Sequence, residues 1–177
     1  MDKSVQIINF NEIDLIGVST ELTKSQDKNY ILIRELWKKF NIELKNIKNR
    51  KLENWEKFGV TYRENYQVFY MASIKKTNKM IIPQNMVTIK VNQGKYMRFV
   101  HIGAMYDIKK TIYNIYKNYI PKSGFEIKSN EKEGLVHFER YDYRFKWNNQ
   151  DSILDIYLPV NTNENNNQTA KEYIKIE

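Results

Sequence analysis

Between Gly134 and Val160, the residues Leu135, His137, Glu139, Tyr141 and Tyr143 recur at every second position, the spacing that puts them on one face of a strand. Val136, Phe138 and Arg140 share the other face. Both faces carry apolar bulk, so this strand is predicted to be covered on both sides. A carboxylate near the middle of such a strand must find a partner or take up a proton. Two readings of Glu139 follow. With Tyr141 and Tyr143 as walls it becomes the floor of a cavity suited to a flat, apolar molecule carrying positive charge or a hydrogen-bond donor. Otherwise it faces water or pairs with a nearby Lys or Arg.

Other chemistries have less to work with. His101 and His137 stand alone on strand faces, where they are either hydrogen-bonded core residues or bases assisting a carboxylate. No His pair has metal-ligand spacing. The absence of Cys removes thiolate nucleophiles, disulfides and Cys-based zinc sites together, and fits a reducing compartment, with cytoplasm the default. Neither a metal nor a cofactor is expected.

At 177 residues and 41% hydrophobic content, the chain can bury one sizeable core. Its longest apolar runs, such as Ile153 to Val160, are too short to cross a bilayer, and Met1 to Gln6 has no apolar signal-peptide core, so no membrane association is expected. The net charge of +8 raises the question of nucleic acid. Its clearest basic cluster, Lys38 to Lys57, is interrupted by Glu43, Glu53 and Glu56 and reads as a solvated helix end and loop. No run alternates basic with exposed aromatic residues, so direct nucleic-acid binding is not expected.

The elements that must position Glu139 follow from periodicity. Val5 to Leu22 reads as one long strand that kinks or bulges at Gly17. Ser25 to Asp27 caps a helix whose buried face is Ile33, Leu36, Trp37 and Phe40, which makes Trp37 a core candidate first. Trp55 to Glu64 and Tyr66 to Lys75 form a hairpin, with Val68, Tyr70, Ala72 and Ile74 on one face. Met86 to Val91 and Tyr96 to Ile102 are strands, and a helix from Tyr106 to Tyr119 is ended by Pro121 and Gly124. Leu135 to Phe145 and Ile153 to Val160 close the fold. Strand, helix and two strands thus occur twice, over about 5–75 and 83–160, with an Asn-rich tail over 161–177. The expected class is α+β: duplicated β-α-β-β modules, antiparallel sheets with helices on one side, around a pseudo-twofold central pocket.

Five segments in order carry a resemblance: Pro83 to Val87 (PQNMV), Gly94 to Gly103 (GKYMRFVHIG), Ile115 to Gly124 (IYKNYIPKSG), Phe138 to Tyr141 (FERY) and Ile156 to Val160 (IYLPV). Together with Tyr66 to Ala72 (YQVFYMA) in the first half, the chain resembles the GyrI-like effector-binding domains, which also form the C-terminal sensor of AraC-type and MerR-type multidrug regulators. The resemblance implies a central pocket for aromatic, often cationic, small molecules, with an acid on the penultimate strand facing the ligand. Glu139 is the matching position. Tyr141, Tyr70, Phe99 and Tyr106 are candidate walls, and Trp37 and Trp55 stand at the rim or in the core. The first strand is entered by Val5, so no helix-turn-helix module is expected before it and a stand-alone effector or drug-binding protein is the leading reading. Two alternatives come with the family: hydrolysis of reactive, cyclopropane-bearing compounds directed by Glu139, and interaction with a protein partner in the manner of the gyrase inhibitor that gave the family its name.

Overall fold

The computed structural model describes residues 5–50, 56–128 and 130–161, so Trp55 and the tail from residue 162 onward lie outside it. Eight antiparallel strands form one curled sheet: β1 (Val5–Phe10), β2 (Ile13–Glu21), β3 (Lys57–Glu64), β4 (Gln67–Lys75), β5 (Val87–Val91), β6 (Gly94–Ile102), β7 (Gly134–Tyr141) and β8 (Ile153–Pro159). Their order across the sheet is β1-β6-β8-β7-β3-β4-β2-β5. Read inward from either edge the pattern is the same, and β7 meets β3 at the centre. Each edge strand belongs to the opposite half: β1 precedes β2 in sequence but pairs with β6, while β5 precedes β6 but pairs with β2.

That exchange corrects the first-strand reading. Val5 to Leu22 is two strands separated at Asn11 and Glu12, and Gly17 lies in unbroken register between Ser73 and Val87. A Cβ on Gly17 would fall 1.9 Å from the Ala72 carbonyl oxygen, so this glycine permits close backbone approach where a kink was expected.

Helix α1 (Gln26–Glu43) is capped by the Ser25 hydroxyl, which accepts from the Lys28 N–H, and it buries Leu36, Trp37 and Phe40 as its spacing requires. A second helical run covers residues 105–123 as a 3-10 turn, an α segment (Ile108–Asn114), a π segment (Ile115–Tyr119) and a last α-turn. Pro121 does not end it. The wider π segment, which ends at Tyr119 and contains the residue four before Pro121, relieves the clash of the proline ring with the preceding turn, and the run stops at Gly124, whose φ of +71° supplies the left-handed cap.

The sheet has two apolar faces. Both helical runs pack on one, against Ile16, Tyr70, Ala72, Met97 and Ile156 among others. The curl of the sheet encloses the other, where Phe138 and Tyr157 stack at 4.6 Å and Phe10 leans over both. At one end of this second face, Asp155 is fully buried and takes guanidinium contacts from Arg98 (3.1 Å), Arg140 (3.3 Å) and Arg144 (2.6 Å), while Asp142 holds Arg144 from the other side.

Asp142 also ends β7. Its carboxylate accepts the Arg144 backbone N–H at 2.9 Å and turns the chain out of the sheet. The strand therefore stops at Tyr141 instead of reaching Phe145, and Tyr143 is 83% exposed, not a cavity wall. Near the other end of β7 a register shift against Thr61 and Tyr62 leaves Val136 unpaired. This bulge sends Leu135 to the enclosed face with Phe138, away from His137, with which simple alternation had grouped it.

Three arginines share two carboxylates, so removing the buried one leaves guanidiniums without compensation. Asp155→Asn is expected to cost about 3 kcal/mol in urea unfolding, the low end for breaking a buried pair because the arginines keep some solvent contact. Asp14→Asn, on an exposed position of β2, is the matched control, expected within about 0.5 kcal/mol of the parent.

Candidate functional site

The central pair β3 and β7 places three polar couples on the helix-bearing face: Lys57 opposite Tyr141, Gly59 opposite Glu139, and Thr61 opposite His137. Each helical run covers the apolar residues of one half, and this polar ladder runs along the seam where the halves meet.

Glu139 is 4% exposed. The Tyr70 hydroxyl donates to its Oε2 at 2.6 Å and the Tyr141 hydroxyl to the same oxygen at 2.5 Å. Trp37 Nε1–H in turn donates to the Tyr70 oxygen at 3.2 Å. Among the described residues, no hydrogen bond reaches Oε1 and no Lys, Arg or His forms an ion pair with this carboxylate. Burial pushes the Glu139 pKa above the ordinary carboxylate value, and the two phenol bonds oppose it only in part. Both phenols are pushed well above the ordinary tyrosine value, first by burial and then by the adjacent carboxylate, so they remain donors.

Gly59 makes this arrangement possible. A Cβ there would lie 2.0 Å from the Tyr70 oxygen and 2.5 Å from Glu139 Oε2, which no packing adjustment accommodates while both bonds stay in place. Above Tyr141 opens a cleft of about 100 Å³ lined by Trp37, Asn41, Lys57, Tyr141, Phe145 and Trp147. Its rings meet edge to face: Trp37 on Tyr141 at 5.0 Å, Phe145 on Tyr141 at 4.7 Å, and Trp147 on Phe145 at 6.1 Å. Lys57 is half-buried at its edge, donates to Asn41 Oδ1 at 2.6 Å, and has its pKa lowered by burial and then by Arg50.

Both histidines are buried and hydrogen-bonded within the fold. His137 lies between the Thr61 hydroxyl (3.2 Å) and the Tyr116 hydroxyl (3.0 Å), and burial lowers its pKa to about 4. His101 is fixed to the second helical run. Its Nε2–H donates to the Ala104 carbonyl, so Nδ1 accepts from the Thr111 hydroxyl at 2.7 Å. Neither hydrogen-bonds to Glu139.

The structure brings together four of the residues singled out from sequence: Glu139, Tyr141, Tyr70 and Trp37. It separates Phe99, which packs edge-on to Tyr119 at 5.0 Å and is divided from Glu139 by Ile156 in the intervening strand. It also separates Tyr106, which is 52% exposed and bonded to Gln150, because the helix begins with a 3-10 turn that points this ring outward. Gly59, Phe145, Trp147 and Lys57 were not singled out. The signal for Gly59 was available, as a glycine inside a strand marks close approach of another group. Phe145 and Trp147 fall in an irregular loop where no period applies.

Residues 6–160 match the sequence model of a family described as Cass2, integron-associated effector binding protein. The transcriptional regulator BrlR of Pseudomonas aeruginosa is 29% identical over 105 residues, which are 58% of this chain and 37% of that regulator, so well under half of the regulator is represented. A solved structure of SAV2435 bound to tetraphenylphosphonium superposes with a TM-score of 0.67 at 17% identity, covering 93% of this chain and 98% of the other. An integron cassette protein from the mobile metagenome of Vibrio cholerae superposes with a TM-score of 0.60 at 22% identity, covering 90% and 97%. These structures share the fold, which is the one the resemblance implied.

Gly59→Ala should break the Tyr70–Glu139 bond and destabilise the protein by about 1–3 kcal/mol in denaturant unfolding. An unchanged midpoint would mean the seam is looser than its geometry indicates. Stability should also depend on pH through two groups of opposite sign. Glu139 binds its proton more tightly folded than unfolded, so its contribution is present below the ordinary value of 4.5 and is lost as pH rises through the raised folded value. His137 contributes stability above 6.5 that is lost as pH falls toward about 4. Relative to the parent, Glu139→Gln should therefore gain stability as pH rises above 4.5, and His137→Gln should gain as pH falls below 6.5, both read by urea unfolding across that range.

Proposed function

The chain belongs to the integron-associated effector-binding family, and on that premise we propose that the seam above Glu139 receives hydrophobic, aromatic small molecules and favours those that carry a positive charge. One observation carries the reading: a buried carboxylate held by two phenols, with no cationic partner among the described residues, one of those phenols belonging to Tyr141, which lines a cleft walled by rings. An uncompensated buried acid is costly to the fold, and a ligand cation would relieve that cost. Two unit charges about 4 Å apart attract by about 4 kcal/mol at an effective dielectric near 20, and each aromatic face adds roughly 0.5–2 kcal/mol. A micromolar complex needs about 8 kcal/mol net, which one acid and several rings can supply. The tetraphenylphosphonium complex of SAV2435, on the same fold, supports this class of ligand.

The cleft of about 100 Å³ is smaller than the roughly 300–1,000 Å³ of drug-sized sites, so binding must open it. Trp37 and Phe145 close its entrance over Tyr141 by edge contacts worth only about 0.5–1.5 kcal/mol each. Turning either ring exposes the Tyr141 face and the acid beneath it. Lys57 is the opposing element. Its ammonium stands at the same mouth and repels a second cation, so it tunes the site toward ligands whose charge is diffuse or deeply placed. The regulator-like relative supports a role in sensing, with ligand occupancy as the signal.

Calorimetric titration with tetraphenylphosphonium tests the charge argument. Glu139→Gln should weaken binding at least about tenfold, the equivalent of about 1.4 kcal/mol, and Lys57→Met should tighten it several-fold. Equal affinity for the Glu139→Gln variant and the parent would remove the acid from the binding site.

A further inference from the structure

The larger cleft lies on the other face of the sheet. We propose that it is a second binding site, for a small aromatic anion such as an aromatic carboxylate. Its volume, about 390 Å³, falls within the range of ligand sites, whereas the cleft above Glu139 does not. It opens at the edge of the enclosed apolar face. Tyr62 and Tyr96 give it aromatic walls, and Leu135, turned to this side by the bulge at Val136, gives it apolar surface.

Its charge is opposite to that of the first site. Lys90, Lys95 and Lys128 line it against a single carboxylate, Glu133. Lys90 is already paired with Glu12 at 2.9 Å. Lys95 and Lys128 form no ion pair among the described residues, and the backbone brings them together. The Lys95 carbonyl accepts the Val160 N–H, and the Lys128 N–H donates to the Pro159 carbonyl, so the two lysines flank the end of β8 from either side. Two unpaired ammonium groups beside tyrosine rings and aliphatic surface suit one negative charge on a flat apolar body. A polyphosphate would find too few bases, and a cation would meet like charge.

Both tyrosines are held in place. The Tyr96 hydroxyl donates to the Asn92 carbonyl at 2.8 Å, and Tyr62 stacks on Phe69 while its hydroxyl bonds to Ser19. The walls are therefore fixed before a ligand arrives, which lowers the ordering cost of binding. The site rests on residues distinct from those around Glu139, so it stands or falls independently of the cation site.

The test is a backbone-amide NMR titration of the full chain with 2-naphthoate and, separately, with neutral 2-naphthol. Naphthoate should shift the amides of Gly94, Lys95 and Gly134 and bind several-fold more tightly than naphthol. The double variant Lys95→Glu, Lys128→Glu should weaken naphthoate about tenfold while leaving naphthol within about twofold. Outside the cleft, the amide spectrum of that variant should superpose on the parent's, which reports that it is folded. The proposal is overturned if naphthoate and naphthol bind equally, if the shifts fall on Trp37 and Tyr141 instead, or if Glu139→Gln abolishes naphthoate binding.

Discussion

The seam of the molecule depends on one hydrogen-bonded acid. Glu139 lies buried at the centre of an eight-stranded sheet, and its Oε2 accepts from both Tyr70 and Tyr141. Bonds to a charged acceptor are worth about 1.5–3 kcal/mol each, which offsets much but not all of the cost of burying a carboxylate. The residual cost appears as the raised pKa. Tyr70 comes from the first half of the chain and Glu139 and Tyr141 from the second, so the same bonds that hold the acid also tie the halves together. Gly59, directly opposite Glu139, provides the space that the acid and the Tyr70 oxygen occupy. One half supplies the charge at the centre of the sheet, and the other supplies the gap.

The strand exchange explains why that centre is rigid. With β1 paired to β6 and β5 to β2, each half is bordered by a strand of the other, and the halves cannot separate without breaking both edges. The central pair β3 and β7 is thereby held in register from both sides. The loop after Tyr141 leaves the sheet at Asp142, and its backbone is tied down: Phe145 N–H donates to the Asp142 carbonyl and the Trp147 carbonyl accepts from Met105 N–H. The rings of Phe145 and Trp147, which close the small cleft by edge contacts, turn about their side-chain bonds without moving that backbone. In the proposed site, a fixed acid beside rings that can turn would admit differently shaped molecules with little discrimination.

Much of this was legible in the sequence. The two-residue period puts Glu139, His137 and Tyr141 on one face, the hairpin period puts Tyr70 on one face with Val68, Ala72 and Ile74, and the helical period puts Trp37 on a buried face; that these faces meet is visible only in the structure. The family resemblance identified Glu139 as the acid to examine. Alternation failed wherever a local hydrogen bond or bulge overrode it. Asp142 caps its own turn and throws Tyr143 into solvent, and the bulge at Val136 moves Leu135 to the opposite face. Val5 to Phe10 and Ile13 to Glu21 read from sequence as one long strand because both are good strands, and nothing local records that they pair with different halves. Ring chemistry nominates Tyr106 and Phe99 as walls but does not distinguish a wall from a helix end or a core contact, and the structure sets both apart from Glu139.

The same logic accounts for a net charge of +8 without a nucleic-acid stripe. On the enclosed face, Arg98, Arg140 and Arg144 are taken up by Asp142 and Asp155, where they fix the ends of β7 and β8. Lys95 and Lys128 stand at the far end of that face with no such partner among the described residues, beside tyrosine rings. Glu139 stands on the opposite face of the same strand that carries Leu135. A single strand with a bulge near one end thus divides its residues between two charge environments, which neither its composition nor its period alone would reveal.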